Sequence, residues 1–230
     1  MSDGIDWNRA EADLDAHGCA VLPGLVEPGG AAALRDAWEE RARFRSEVVM
    51  ARHGFGRGAY RYFGYPLPDA VAGLRASLYP PLAQIANRWA EVLGTGIRYP
   101  ADHEDFLARC RDAGQARPTP LLLRYEAGDW NALHQDLYGE HVFPLQVAIL
   151  LSEPGADFTG GELVLAEQRP RMQSRAEVVP LGRGDAVVFP VRERPVRGAK
   201  GWHRRAMRHG VSRVRSGLRF TLGIIFHDAL

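Results

Sequence analysis

Two triplets in this 230-residue chain place a histidine two residues ahead of an aspartate: His103-Glu104-Asp105 and His134-Gln135-Asp136. An imidazole and a carboxylate at that spacing can reach one divalent metal if the chain is extended, because residues i and i+2 then share a face. On a helix they do not face each other. His103 falls in a charged stretch that predicts a short helix over 102–112, so it is expected to be an exposed helix histidine. His134 comes after a predicted strand and the Gly128-Asp129 turn, which makes His134 and Asp136 the candidate ligand pair. Two histidines and one carboxylate leave three coordination positions open and suit non-haem Fe(II). The second histidine must come from elsewhere. His203, His209 and His227 lie downstream, while His141 is too close to His134 to reach easily across a barrel.

His209 is set apart by the residues on its C-terminal side. The run His209-Gly-Val211-Ser-Arg-Val214-Arg-Ser-Gly217-Leu-Arg219 supplies apolar anchors at Val211 and Val214 and a tight turn at Gly217. Arg219 then opens a predicted strand in which Arg219, Thr221 and Gly223 share one face and Phe220, Leu222 and Ile224 the other. An arginine turned towards an apolar interior calls for an anion, because an unpaired buried charge is costly.

The elements that must position these residues divide near Pro118. Residues 1–117 read as mainly helical: a helix over Trp7 to His17 stopped by Gly18, an apolar strand over Cys19 to Leu25, and a helix over Ala31 to Arg45. A helix with Asp69 as N-cap runs towards Leu93, with a break or kink at Pro80-Pro81. Residues 118–230 hold short apolar or β-branched runs at Pro120–Glu126, Phe143–Leu151, Glu162–Ala166, Ala176–Leu181, Asp185–Val191 and Arg219–Phe226, punctuated by Gly, Pro and Asp. Arg192 to Arg208, with Pro195 and Gly198, predicts a long loop or irregular hairpin. The expected class is α+β, with a sandwich or barrel in the second half.

His134-x-Asp136, His209 and Arg219 ten residues later resemble the Fe(II)/2-oxoglutarate-dependent dioxygenases, with local spacing most similar to their prolyl-hydroxylase-like branch. Gly18 to Leu25, Arg124-Tyr125-x-x-Gly128-Asp129, Gly160-Gly161-Glu162-Leu163 and Gly184-Asp185-Ala-Val-Val-Phe189 resemble successive strand starts of those enzymes. The resemblance implies one domain over 1–230 with a double-stranded β-helix (jelly-roll) core and helices packed on one side. It implies that His134, Asp136 and His209 hold Fe(II), that 2-oxoglutarate and O2 are cosubstrates, and that Arg219 pairs bidentately with the far carboxylate. Tyr125 or Thr221 would add a hydroxyl to that carboxylate. Gln146 is a weaker candidate for the same pocket, the alternative being an outward amide.

The substrate is read from three features. His134-Gln-Asp-Leu-Tyr-Gly-Glu-His141 and Arg169-Pro-Arg-Met-Gln-Ser-Arg175 resemble a bacterial oxygenase family grouped with oxidative demethylases of alkylated nucleic acid. The formal charge of +1 hides a partition: residues 1–168 hold 24 acids and 15 bases, residues 169–219 hold 14 bases and 3 acids. Arg192, Arg194, Arg197, Lys200, Arg204 and Arg205 could therefore track phosphates of single-stranded or damaged nucleic acid, with Trp202 or Tyr138 stacking on a base. Against this, Arg213 and Arg219 come sooner after the distal histidine than the paired arginines of the demethylases, and the chain has no arginine beyond Arg219. Hydroxylation of a prolyl, peptidyl or free amino-acid side chain is the alternative, and a non-catalytic metal-binding sensor a third. Tyr60, Tyr62 and Tyr65 could line an aromatic entrance in either enzymatic case, or serve as ordinary packing residues. Cys19 and Cys110 form no disulfide or metal-knuckle pattern, and no signal peptide or membrane span is visible, so a reducing, cytoplasmic setting is expected.

Overall fold

The computed structural model describes residues 4–169, 171–199 and 201–230. Lys200, the first three residues and Pro170 of the Arg169–Arg175 run lie outside them. In chain order the elements are α1 (Trp7–His17), β1 (Ala20–Leu22), α2 (Pro28–Asp36), β2 (Phe44–Val49), β3 (Gly56–Arg57), β4 (Ala59–Phe63), α3 (Asp69–Val92) and α4 (His103–Asp112). Next come β5 (Leu121–Glu126), β6 (Trp130–His134), β7 (Leu145–Leu150), β8 (Phe158–Gly160), β9 (Leu163–Gln168), β10 (Arg175–Val179) and β11 (Ala186–Pro190). The last strands are β12 (Glu193–Gly198), β13 (Gly201–Val211) and β14 (Val214–Ile225).

The strands form two sheets with antiparallel pairing. One runs β1-β11-β7-β14-β5-β4-β2, with β8 on the start of β14. The other runs β10-β9-β13-β6-β3, with β12 on β13. This is the double-stranded β-helix arrangement that the resemblance implied. Alternation along the strands decides which side each residue faces. Leu122 of β5 and Phe220, Leu222 and Ile224 of β14 join the main core with Leu74, Leu78, Leu82 and Trp89 of α3. The opposite faces of β5, β7 and β14 look towards the second sheet, and side chains of both sheets form one apolar cluster of Leu163, Leu165, Phe189 and Met207 and another of Tyr125, Phe158, Val211 and Val214.

Helix α1 matches its expected bounds. The Asp6 side chain caps its start at Arg9 N, 3.0 Å away, and Gly18 ends it in the left-handed region at φ 83°. Several expectations need correction. The helix expected to Arg45 ends at Asp36, and two short 3₁₀ turns lead into β2. Alternating Phe44-Arg-Ser-Glu-Val-Val49 and Tyr60-Arg-Tyr-Phe63 pair with each other, β2 at the sheet edge and β4 between it and β5, so 1–117 is less helical than expected. Asp69 is the first residue of α3, not its N-cap, which is Pro68. Helix α3 is continuous through Pro80 and Pro81. The carbonyls left without N–H partners there belong to exposed Ala76 and half-buried Ser77, while Leu78, Tyr79, Leu82 and Ala83 hold the helix by burial. Arg192 to Arg208 is a regular hairpin of β12 and β13 in unbroken register from Glu193↔Ala206 to Gly198↔Gly201. His103 starts α4 as expected but is buried, its Nε2 2.8 Å from the carbonyl oxygen of Phe226. Among the described residues, no helix is long and apolar enough to cross a membrane.

Candidate active site

Strand pairing brings the two histidines together. His134 at the end of β6 lies directly opposite His209 on β13, and their ring centroids are 4.2 Å apart. The register then slips between His209 and Val211, and Gly210 sits where a Cβ would come within 2.6 Å of the Asn131 carbonyl oxygen. A glycine is what allows β13 to approach β6 so closely there. Asp136, two residues past β6, is buried and reaches both imidazoles: His209 Nε2 lies 3.2 Å from Oδ2 and His134 Nε2 3.5 Å from Oδ1. One ligand atom from each of the three residues falls within 4.8 Å of the others. His134 Nδ1 lies 2.8 Å from the Ala132 carbonyl and donates to it, which turns Nε2 towards Asp136. Burial alone would raise the Asp136 carboxyl, but the two histidines hold it well below the usual carboxylate range. The donor set of two imidazole nitrogens and one carboxylate fits Fe(II).

Beside this group is a cavity of about 430 Å³. Arg219, Thr221 and Gly223 of β14 line it, as their shared strand face requires. Arg219 is buried, and among the described residues no carboxylate pairs with it and nothing hydrogen-bonds its Nε. Its Nη1 donates to Thr221 Oγ1 at 2.6 Å, and its guanidinium carbon lies 5.7 Å from the Tyr125 ring centroid. Burial pulls its pKa down to about 10, so it stays charged at neutral pH. Gln146 on β7 also lines the cavity rather than pointing outward, with Nε2 buried and without a partner among the described residues. Buried donors left free beside an apolar wall of Leu121, Leu123 and Val147 fit a small dianion such as 2-oxoglutarate, which would take those donors.

The remaining sequence candidates separate. Tyr60, Tyr62 and Tyr138 line the cavity; Tyr65 does not, and its hydroxyl bonds Asp228 Oδ2 at 2.8 Å. Trp202 and Arg204 sit on the β12–β13 hairpin away from the cavity lining, and Arg204 pairs with Glu193 at 3.4 Å. His209 lies seven residues beyond Trp202, about 23 Å along an extended strand. Arg194, expected to face phosphate, is buried against Glu167 at 2.5 Å and donates to the Asp15 carbonyl. His203 lies on the hairpin, and buried His227 accepts from the Phe143 N–H.

Sequence reasoning missed several lining residues: Phe55, Asn131, Leu133, Leu137 and Phe189. Phe55 reaches the cavity mouth because β3 pairs with β6, and its ring stacks on His53 with centroids 5.3 Å apart. Exposed Arg52 and Arg57 flank it. No spacing announces this lip; an exposed aromatic between two arginines in a glycine-rich stretch was the available signal.

Residues 58–229 match the Oxygenase-NA family, described as "Oxygenase, catalysing oxidative methylation of damaged DNA". Uncharacterized proteins from two strains of Mycobacterium tuberculosis are 51% identical over 198 residues, covering 85% of this chain and 85% of theirs. Among solved structures, a Pseudomonas putida prolyl-4-hydroxylase superposes with a TM-score of 0.56 at 15% identity, covering 97% of this chain and 100% of that one. An oxidoreductase of the 2OG-Fe(II) oxygenase family from Burkholderia pseudomallei gives 0.56 at 17% identity, covering 99% and 93%.

Proposed function

The chain belongs to the Oxygenase-NA family, and from that premise we propose that it is an Fe(II)- and 2-oxoglutarate-dependent oxygenase that hydroxylates the alkyl carbon of an alkylated nucleobase. The observation that carries the oxygenase chemistry is the juxtaposition, in one cavity, of the His134–Asp136–His209 group with a buried arginine that has no carboxylate partner among the described residues. Fe(II) held by His134, Asp136 and His209 would, with 2-oxoglutarate and O2, supply the oxidation, in which 2-oxoglutarate would give succinate and carbon dioxide and one oxygen atom would enter a substrate C–H bond.

The protein's own part is ligation, orientation and exclusion of water. His134, Asp136 and His209 would hold the metal at the β6–β13 pair. Arg219 takes the distal carboxylate of 2-oxoglutarate, with Thr221 orienting the guanidinium. Tyr125 closes the wall beside it, with its hydroxyl 3.4 Å from Asn131 Nδ2, and Gln146 offers an amide donor. Tyr60, Tyr62 and Leu137 shape the substrate side.

The nucleic-acid assignment rests on the family description and on the lip at the cavity mouth. Phe55 offers a stacking face within the cavity lining, and Arg52 and Arg57 stand beside it for phosphates. Arg192, Arg197, Arg204 and Trp202 are exposed on the hairpin, outside the cavity lining, where a longer strand could meet them.

Purified protein with Fe(II) should convert 2-oxoglutarate to succinate, and Asp136→Ala should abolish this. Succinate formation untouched by that change would mean the site lies elsewhere. A succinate-coupled screen of methylated oligonucleotides against prolyl peptides decides the substrate, and stimulation by the peptides alone would replace the nucleobase by a peptidyl side chain.

A further inference from the structure

One oxygen of the Asp136 carboxylate is already engaged. The Tyr138 hydroxyl donates to Asp136 Oδ1 at 2.9 Å and accepts from the Tyr62 hydroxyl at 3.0 Å. The two rings meet edge to face with centroids 6.3 Å apart, and the Arg45 guanidinium lies 4.5 Å over the Tyr62 ring. The other oxygen, Oδ2, makes the shorter approach to a histidine, 3.2 Å to His209 Nε2, whereas Oδ1 lies 3.5 Å from His134 Nε2.

The backbone around Tyr138 is fixed as well. Gln115 is fully buried, and its Nε2 lies 3.1 Å from the carbonyls of Tyr138 and His141 and 2.6 Å from that of Asp228. Its Oε1 accepts from His141 N at 2.7 Å. Gly139 has φ +83°, and a Cβ there would fall 2.4 Å from Gln115 Cδ. The loop after Asp136 is therefore shaped around this one amide.

We infer that Tyr138, steadied by Tyr62 and by the Gln115 clamp, is a positioning residue that keeps Asp136 bound to the metal through a single oxygen. This rests on His134, Asp136 and His209 being the metal ligands. A carboxylate can ligate through one oxygen or both, and the second would consume one of the three positions the chemistry needs open. A phenol hydrogen bond occupies Oδ1 and aims Oδ2 at the metal, the task that partners of metal ligands commonly perform. Tyr138 thereby belongs to the metal centre as well as to the cavity wall.

Cobalt(II) substitution tests this without turnover, because the intensity of its visible absorption falls as coordination number rises. The full-length protein, Tyr138→Phe and Tyr62→Phe are titrated with Co(II) and then with 2-oxoglutarate. Tyr138→Phe should lose about 10-fold or more in Co(II) affinity, show a weaker visible band and bind 2-oxoglutarate less tightly. Tyr62→Phe, which leaves Asp136 its hydrogen bond, should fall between it and the unmodified protein. Gly139→Ala, which displaces Gln115, should resemble Tyr138→Phe. Unmodified protein that binds Co(II) while Tyr138→Phe keeps the same affinity and spectrum overturns the positioning role alone. Unmodified protein that binds neither Co(II) nor 2-oxoglutarate overturns the metal-site reading itself.

Discussion

Arg219 is a cation held in the interior at a cost that only an anion offsets. Its neighbours on β14 and β5 give it a hydroxyl and an aromatic face but no carboxylate among the described residues. Removing it should therefore weaken cosubstrate binding far more than it destabilises the fold. In Arg219→Ala the 2-oxoglutarate half-saturation should rise on the order of 30-fold or more, as expected when about 2 kcal/mol of buried charge pairing is lost. Succinate formation should recover in part at high 2-oxoglutarate. An unchanged half-saturation would mean that another cation holds the carboxylate. Arg219 was legible because period-2 alternation places it on one face with Thr221 and Gly223, and His134 and Asp136 were legible from the i, i+2 rule. Gln115 was not, since its partners at 138, 141 and 228 are joined to it only by tertiary folding. The burial of His103 was missed for the same reason: the helix was readable, the carbonyl of Phe226 beside it was not.

At the scale of elements, the β12–β13 hairpin shows why a basic run is not a basic surface. The arginines on its two strands split by strand face. Arg194 turns inward to a Glu167 that also meets Arg169, and burial on both sides leaves the ion pair dry. Burial raises the Glu167 carboxyl, and Arg194, with Arg169 and Arg175, more than offsets it, so the group ends below its ordinary value. Arg204 faces water beside Glu193. Arg194→Ala should thus cost about 3–5 kcal/mol of stability by stranding Glu167. Arg204→Ala should stay within about 1 kcal/mol. Urea denaturation of the two variants checks the contrast, and equal midpoints would show that the hairpin does not depend on its buried pair. Pro195 and Gly198 argued for irregularity. The long partner strand β13, anchored by β6 and β9, imposed regular pairing instead.

At the scale of the molecule, the helical layer, the large sheet and the chain end meet around Arg75 and Asp228, paired at 2.8 Å in the interior. Two histidines are buried beside them. His103 donates from Nε2 to Phe226 O, and His227 accepts the Phe143 N–H at Nδ1, a bond that protonation of that nitrogen would break. Burial, with Arg75 nearby, pushes both pKa values down to about 4 from 6.5. Unfolded, both histidines would take up protons below about pH 6.5; folded, they resist until about pH 4. The unfolded state binds more protons throughout that window, so stability must fall as pH drops from 6.5 towards 4, by up to about 1.4 kcal/mol per pH unit for each histidine. Most carboxylates titrate lower, so the slope from pH 6.5 to 5 belongs to histidines. His209, which burial also lowers, and His134, where burial is outweighed by Asp136 so that it ends raised, are among them. Thermal unfolding should show the midpoint falling across that interval. His103→Gln keeps a donor for Phe226 O and His227→Asn keeps an acceptor for Phe143 N–H, yet neither substitute can take up the proton. Each variant should therefore flatten the profile by its own share, and the double variant by the sum of the two. A profile already flat in the unmodified protein would show that these histidines are not held neutral, and that the chain end is not sealed against water where α3, α4 and β14 converge.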